Sequence, residues 1–226
     1  IPIPSHATNS EEPLGVLTAV FDRPATTPDA LGIAQAYAAI LALAIQSEGQ
    51  VASMRANVVQ CLEEIADHLD AKDERNRQHS RRTAHLAGLI GRRMGLSDPT
   101  LSELTLGARL ADLGKVALPE SIVGKTTPLT LEEIEVIKKH PLVSYEIGAL
   151  LRLPTSVLLL MRNHHERLDG TGYPDGLRGG ELPLSLRILC VADAYCAMTR
   201  SRADRPAMTP REAVANLSAD IAKFDT

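Results

Sequence analysis

Tryptophan is absent from the 226-residue chain, and Phe, Trp and Tyr together make up 3% of it. A chain so poor in aromatics and rich in Ala and Leu leans toward helix. Only three cysteines are present, Cys61, Cys190 and Cys196, with no C-x-x-C pair. They sit in apolar, helical contexts and read as reduced thiols of a cytoplasmic protein, not a disulfide framework. No long hydrophobic run occurs. The most apolar stretch, Leu31–Ile45, is too short to span a bilayer and contains Gln35. No excess of positive charge occurs either. The net charge of −4 excludes a general attraction to nucleic acid, so a polyanionic ligand would need a local basic cluster. An initial Met is also missing, and the chain begins mid-element. It reads as a fragment, so the lack of a targeting segment carries no weight. The length allows one or two domains with a sizeable core.

What is present is concentrated in Asn163–Pro174, N-H-H-E-R-L-D-G-T-G-Y-P. The apolar run Val157–Met161 precedes it. Its lack of β-branching and its place after Pro154-Thr155 favour helix. His164 and His165 then fall in the last turn, about 100° apart around the axis, and can reach one inward point. Two converging imidazoles make a metal-site geometry. A solvated helix end whose charge suits the macrodipole is the plainer alternative.

From the N-terminus, residues 1–12 read as an edge or loop, Leu14–Phe21 as a strand and Pro24–Asp29 as a loop. One helix is expected from about Asp29 to Asp70. Leu31, Ala34, Ala38, Leu41 and Ile45 keep helical spacing, and Val51, Met54, Val58, Cys61, Ile65 and His68 resume it after a slip near Gly49. Such spacing fits a two-stranded seam between two copies of the chain, giving a homodimer. The alternative is one amphipathic helix on the domain's own core. His68 reads as packed on that stripe, and the charged run Ala71–Arg77 marks a junction.

Beyond it, His79 opens a helical run with Leu86 and Ile90 on one face and Gly95 as its stop. His85 is off that face and reads as structural. Leu101–Leu113 is expected as a helix leading into Ala111-Asp112-Leu113-Gly114-Lys115. Leu110 and Leu113 flank Asp112, which implies partial burial, and a buried carboxylate needs a cation. Thr130 and Glu133 form a capping box for a helix to Lys139. His140-Pro141 starts the next segment. Gly176–Pro183 is a Gly-rich loop. Leu184–Thr199 reads as a buried helix carrying one acid, Asp193, which needs a partner. Arg200, Arg202 and Arg205 form a basic cluster whose planar forks suit phosphate. Thr209-Pro210-Arg211-Glu212 caps the last helix.

These blocks, in this order from about His79 to Arg205, resemble the HD-GYP family of bacterial domains that hydrolyse cyclic di-GMP. The block G-V-L-T-A-V followed by an Ala/Leu helix resembles the C-terminal end of a GAF sensory domain. The resemblance implies a mainly α fold, an HD-type helical domain at residues 76–226. A partial GAF-like segment at 1–47 and a linking, signalling helix at 48–75 would precede it. It implies one or two divalent ions (Fe, Mn or Zn) held by His79, Asp112, His140, His164, His165 and Asp193, with Asp112 bridging. It implies catalytic roles for Asp112 and Lys115. Gly172, Tyr173, Pro174, Arg202 and Arg205 would contact the dinucleotide. Three departures stand out: Ala111 replaces the histidine of the H-D pair, Cys196 a second late aspartate, and Arg75 a glutamate used for a third ion. One ion site is therefore complete and the other one ligand short. Two readings follow, a phosphodiesterase with impaired turnover and a non-catalytic domain that binds metal or dinucleotide and signals through a protein partner. DNA and membrane partners are not expected.

Overall fold

The computed structural model describes residues 2–3, 15–16, 50, 53–54, 56–71, 78–123, 125, 127–201 and 206–225. The chain divides into two units, residues 1–60 and 61–226. In the first, β1 (Pro2–Ile3) pairs antiparallel with β2 (Gly15–Val16), with Pro2 opposite Val16. β2 falls within the expected strand 14–21. The rest of that stretch and residues 29–49 of the expected long helix lie outside the described residues.

The second unit is helical. It runs as α1 (residues 61–71) and α2 (His79–Arg93), then α3 (Asp98–Leu110) and α4 (Glu120–Val123). Next come α5 (Leu131–Ile137), α6 (His140–Leu150) and α7 (Thr155–Asn163), and α8 (Leu184–Met198) and α9 (Pro210–Ala219) close it. Short 3-10 turns occupy Leu113–Ala117 and Gly179–Glu181. α2 packs on α3 and α8, α3 on α7, and α6 on α7 and the first 3-10 turn. Small residues permit these close approaches. A Cβ on Gly107 of α3 would lie 2.7 Å from the Leu160 side chain of α7. Leu104, Leu160, Leu186 and Leu189 fill the space, each 2% exposed or less. Burying each such side chain contributes about 1.5–3 kcal/mol, so the bundle rests mainly on this apolar layer.

Several boundaries differ from the sequence expectation. α3 starts earlier than Leu101, because Pro99 fits a first-turn position, and it stops at Leu110, leaving Asp112 outside the helix. α5 ends at Ile137 and α8 at Met198. α7 ends at Asn163, so His164 is its C-cap and His165 lies beyond it. The α2 stop at Gly95 holds, with φ +77° there. Both capping boxes, Thr130–Glu133 and Thr209–Glu212, are formed. On α1, Leu62 and Ala66 face the core of this unit, whereas Cys61, Ile65 and His68 are exposed. The expected stripe therefore does not pack on the domain's own core; His68 Nδ1 bonds the Glu64 carbonyl at 2.8 Å. No helix among the described residues is long and apolar enough to cross a membrane.

Candidate metal centre

Asp112 owes its place to a staple between two segments. A Cβ on Gly114 would sit 2.1 Å from the His140 carbonyl oxygen and 2.6 Å from the Ser144 nitrogen, so only glycine lets the turn touch α6. Gly114 N–H donates to Ser144 Oγ at 2.7 Å, and that hydroxyl donates to the Ala111 carbonyl at 2.7 Å. The turn carrying Asp112 is thus fixed to the helix that begins with His140. Lys115 Nζ closes the turn on Asp112 Oδ2 at 2.7 Å.

The two buried histidines are oriented by backbone carbonyls. His140 Nδ1 meets the Ile137 carbonyl at 2.7 Å, and His164 Nδ1 meets the Met161 carbonyl at 3.0 Å. A carbonyl only accepts, so each Nδ1 carries a proton, and each Nε2 is the ring atom that turns inward. Those two Nε2 atoms lie 3.3 Å apart. They lie 3.0 and 3.8 Å from Asp112 Oδ1. That oxygen is buried with no well-formed hydrogen bond of its own. Three potential ligand atoms thus converge on one buried place, an arrangement that a cation would complete. His165 joins them, its ring centroid 4.0 Å from that of His164. Asp112, His140, His164 and His165 place ligand atoms within 4.8 Å of one another and could hold a metal ion. Nitrogen and oxygen donors without thiolate suit Fe, Mn or Zn.

The other expected ligands approach from the opposite side of the same carboxylate. His79 Nε2 bonds Asp193 Oδ1 at 3.0 Å and lies 3.8 Å from Asp112 Oδ2. Asp193 Oδ2 is 3.8 Å from His165 Nδ1. All six expected ligands are therefore brought together. The residue before Asp112 is a buried alanine with no donor to add.

Burial pushes the Asp112 carboxyl up, but Lys115, His140 and His164 outweigh it and hold the group well below the usual carboxylate range. Asp193 is likewise lowered, because His79 and the neighbouring imidazoles overcome its burial. Burial lowers His140, and burial with the nearby His164 holds His165 well below 6.5. Lowered carboxylates at Asp112 and Asp193 beside lowered imidazoles at His140 and His165 favour the protonation state that metal ligands need.

Glu166 is the functional residue that sequence reasoning passed over. It is fully buried and accepts three backbone N–H groups, from Asp175 (2.7 Å), Gly176 (3.0 Å) and Leu177 (3.1 Å). The clue was available: a loop of glycine and proline has backbone donors that nothing local satisfies, and an acid precedes it. Gly172 fits against the same residue, since a Cβ there would be 2.4 Å from Glu166 Cα. Gly172 therefore packs the loop on its own backbone. The loop delivers Tyr173, whose ring lies 4.8 Å from that of His165, with Lys138 Nζ 5.7 Å from the Tyr173 centroid. Pro174 follows across a cis peptide, and Asp175 is held by Arg162 and Asn163 at 2.7–2.8 Å. Arg202 and Arg205 lie outside the described residues. Cys196 is buried, and burial pushes the Cys190 thiol up to about 12.

Residues 61–226 match the family model described as HD domain. The chain is 38% identical over 160 residues to the cyclic di-GMP phosphodiesterase response regulator RpfG of Xanthomonas campestris, covering 70% of this chain and 42% of that protein. It is 35% identical over 150 residues to a cyclic di-GMP phosphodiesterase of Thermotoga maritima, covering 64% and 39%. The chain thus spans about two fifths of the length of these relatives. Its fold is similar to that of an HDG"Y"P protein from Bdellovibrio bacteriovorus, with a TM-score of 0.55 at 24% identity, covering 65% of this chain and 47% of that one.

Proposed function

The chain belongs to the HD domain family, and from that premise we propose that it is an HD-GYP-type, metal-dependent phosphodiesterase domain acting on cyclic di-GMP. The observation that carries this reading is the convergence of Asp112 Oδ1 with the Nε2 atoms of His140 and His164, three potential ligand atoms in one buried place. Relatives named for this activity are 38% and 35% identical to this chain over 160 and 150 residues.

Asp112, His140, His164 and His165 would hold one ion. His79, Asp112 and Asp193 would hold a second more weakly, because Ala111 offers no ligand. Such ions would supply Lewis-acid polarisation of a phosphoryl oxygen and lower the pKa of water toward neutrality. Asp112 keeps the two halves of the centre together through its two oxygens. Lys115, a flexible ammonium beside Asp112, is placed to hold a phosphate oxygen. Tyr173 walls the site over His165, and Pro174, Arg202 and Arg205 would complete the dinucleotide pocket. Hydrolysis adds one water across a phosphodiester bond and gives a linear dinucleotide, or GMP after a second cleavage. Residues 1–47, as the end of a GAF-like sensory domain, and 48–75, as a signalling helix that dimerises the chain, would deliver the input in the cytoplasm.

Ala111 favours a second reading, a domain that binds metal and dinucleotide and signals through a protein partner with little turnover. Single-turnover hydrolysis of cyclic di-GMP, with Mn2+-loaded and metal-stripped protein and with Ala111→His, separates the two. Metal-dependent product from the unaltered chain upholds the phosphodiesterase. Product only from Ala111→His assigns the chain to the binding form, and product from neither sinks the reading of this site as a phosphodiesterase.

A further inference from the structure

His79 stands at the first residue of α2, yet that helix has no cap of its own. Gln78 precedes it in the left-handed region (φ 62°) and makes no capping hydrogen bond. The cap comes instead from α1. Asp70 is buried, and its Oδ2 accepts both the Ser80 backbone N–H and the Ser80 hydroxyl, each at 2.8 Å. A carboxylate there meets the positive end of α2 and takes up a donor that the helix leaves unpaired.

A second residue draws the same point toward Asp112. Arg109 lies in the last turn of α3, just ahead of the Asp112 turn, and is 9% exposed. Its Nη1 donates to Ser80 Oγ at 2.6 Å and to Asp67 Oδ1 at 3.1 Å, and its Nη2 to the Glu63 carbonyl at 3.0 Å. Arg81 grips Asp67 from the neighbouring position on α2, its Nε bonding Oδ1 at 2.8 Å. One guanidinium therefore ties α1, the residue next to His79 and the end of α3.

We propose that Asp70 and Arg109 are positioning residues that couple α1 to the metal centre by fixing His79 against Asp112 and Asp193. The inference rests on the metal-centre reading above. The hydrogen bonds divide unevenly between the two halves. Asp112, His140 and His164 are oriented by the Ser144 staple and the Ile137 and Met161 carbonyls, none of which is a hydrogen bond from α1; α1 reaches that half only through the apolar packing of Leu62 with Leu110, Leu113 and Met161. His79 alone among the ligands starts a helix capped by α1. A loss of the Asp70 and Arg109 hydrogen bonds would act first on the His79 half of the centre, which gives the helix entering the domain a direct route to the chemistry.

The test is Mn2+ binding by the full chain, read from free Mn2+ by electron paramagnetic resonance. The unaltered protein should show a tighter and a weaker class. Asp70→Ala and Arg109→Gln should weaken the weaker class about tenfold or more, the scale for partners that orient a ligand, with the tighter class changed less than about twofold. Asp70→Asn keeps an oxygen for Ser80 and should restore most of the loss. Should Asp70→Ala not fold, Arg109→Lys, which keeps the charge but not the fork, carries the test with the same selective loss expected. Equal weakening of both classes, no weakening of either, or a single class in the unaltered chain overturns the coupling. His165→Ala is the control: an unchanged tighter class in that variant overturns the site assignment itself.

Discussion

The two halves of the metal centre share Asp112 but are built on different principles. On one side, His140 and His164 are aimed by carbonyls three residues back, and Asp112 is stapled to α6 through Gly114 and Ser144. Each contact is short-range or sits in a packed crossing, so this half is set as soon as α6 and α7 dock. On the other side, His79 and Asp193 hold each other from α2 and α8. The start of α2 depends on Asp70 and Arg109 from two further helices. This half also has a methyl group, Ala111, at the position that the family resemblance fills with a ligand. The lesson is that one cluster can join a half fixed by short contacts to a half that depends on distant helices, the two meeting at a single carboxylate.

The comparison can be broken most severely at the rigid half. Changing groups that merely orient a ligand costs about 10–100-fold in metal affinity, so losing a ligand outright in His140→Ala should reach at least ~100-fold, measured by equilibrium dialysis. A loss below tenfold would show that the four residues do not share an ion. Sharpening comes from the other half: Ala111→His should tighten the weaker ion by about tenfold or more, with the tighter one unchanged. If the weaker ion is unaffected, Ala111 does not explain the inequality.

A smaller effect is expected behind the ligands. Glu166→Gln replaces an oxygen with an amide donor that faces backbone N–H groups, and one unsatisfied buried group costs about 1–3 kcal/mol. The melting temperature should fall, and metal affinity of the rigid half should fall with it, because Glu166 secures the loop that packs Tyr173 on His165. An unchanged melting temperature would mean that the loop does not depend on this carboxylate.

The smallest effect concerns acid. Hydrogen bonds from Arg81, with Arg109 adding to them, hold Asp67 at about 2 against an ordinary 3.8. A depressed folded value means that the contribution is fully present above pH ~4 and is lost as pH falls through about 2. Because the pair with Arg81 is largely exposed, it is worth no more than ~1 kcal/mol. Asp67→Asn should flatten stability between pH 4 and 2 in denaturant titrations, and a steeper profile would contradict the assignment.

How much was legible in the sequence follows from the range of each interaction. The capping boxes at Thr130 and Thr209 and the largely buried acids Asp112 and Asp193 are local patterns, and the structure places them as expected. The pair His164-His165 converges as expected, but at the C-cap of α7 and beyond it instead of in the last turn. The Ser144 staple joins residues 30 apart, and no local pattern announces it. The Asp70 cap spans 10 residues across a helix junction, and the Glu166 latch, 9 residues long at its shortest, is announced only by the donor-rich loop that follows the acid. On α1, Cys61, Ile65 and His68 keep helical spacing as well as Leu62 and Ala66 do, and spacing alone cannot tell which stripe meets the domain's own core.

The most direct measurement is anomalous difference density from crystals of the unaltered protein soaked in limiting Mn2+. The account predicts the stronger peak among Asp112, His140, His164 and His165, with a weaker one or none beside His79 and Asp193. A stronger peak on the His79 side, or density at neither place, would contradict it.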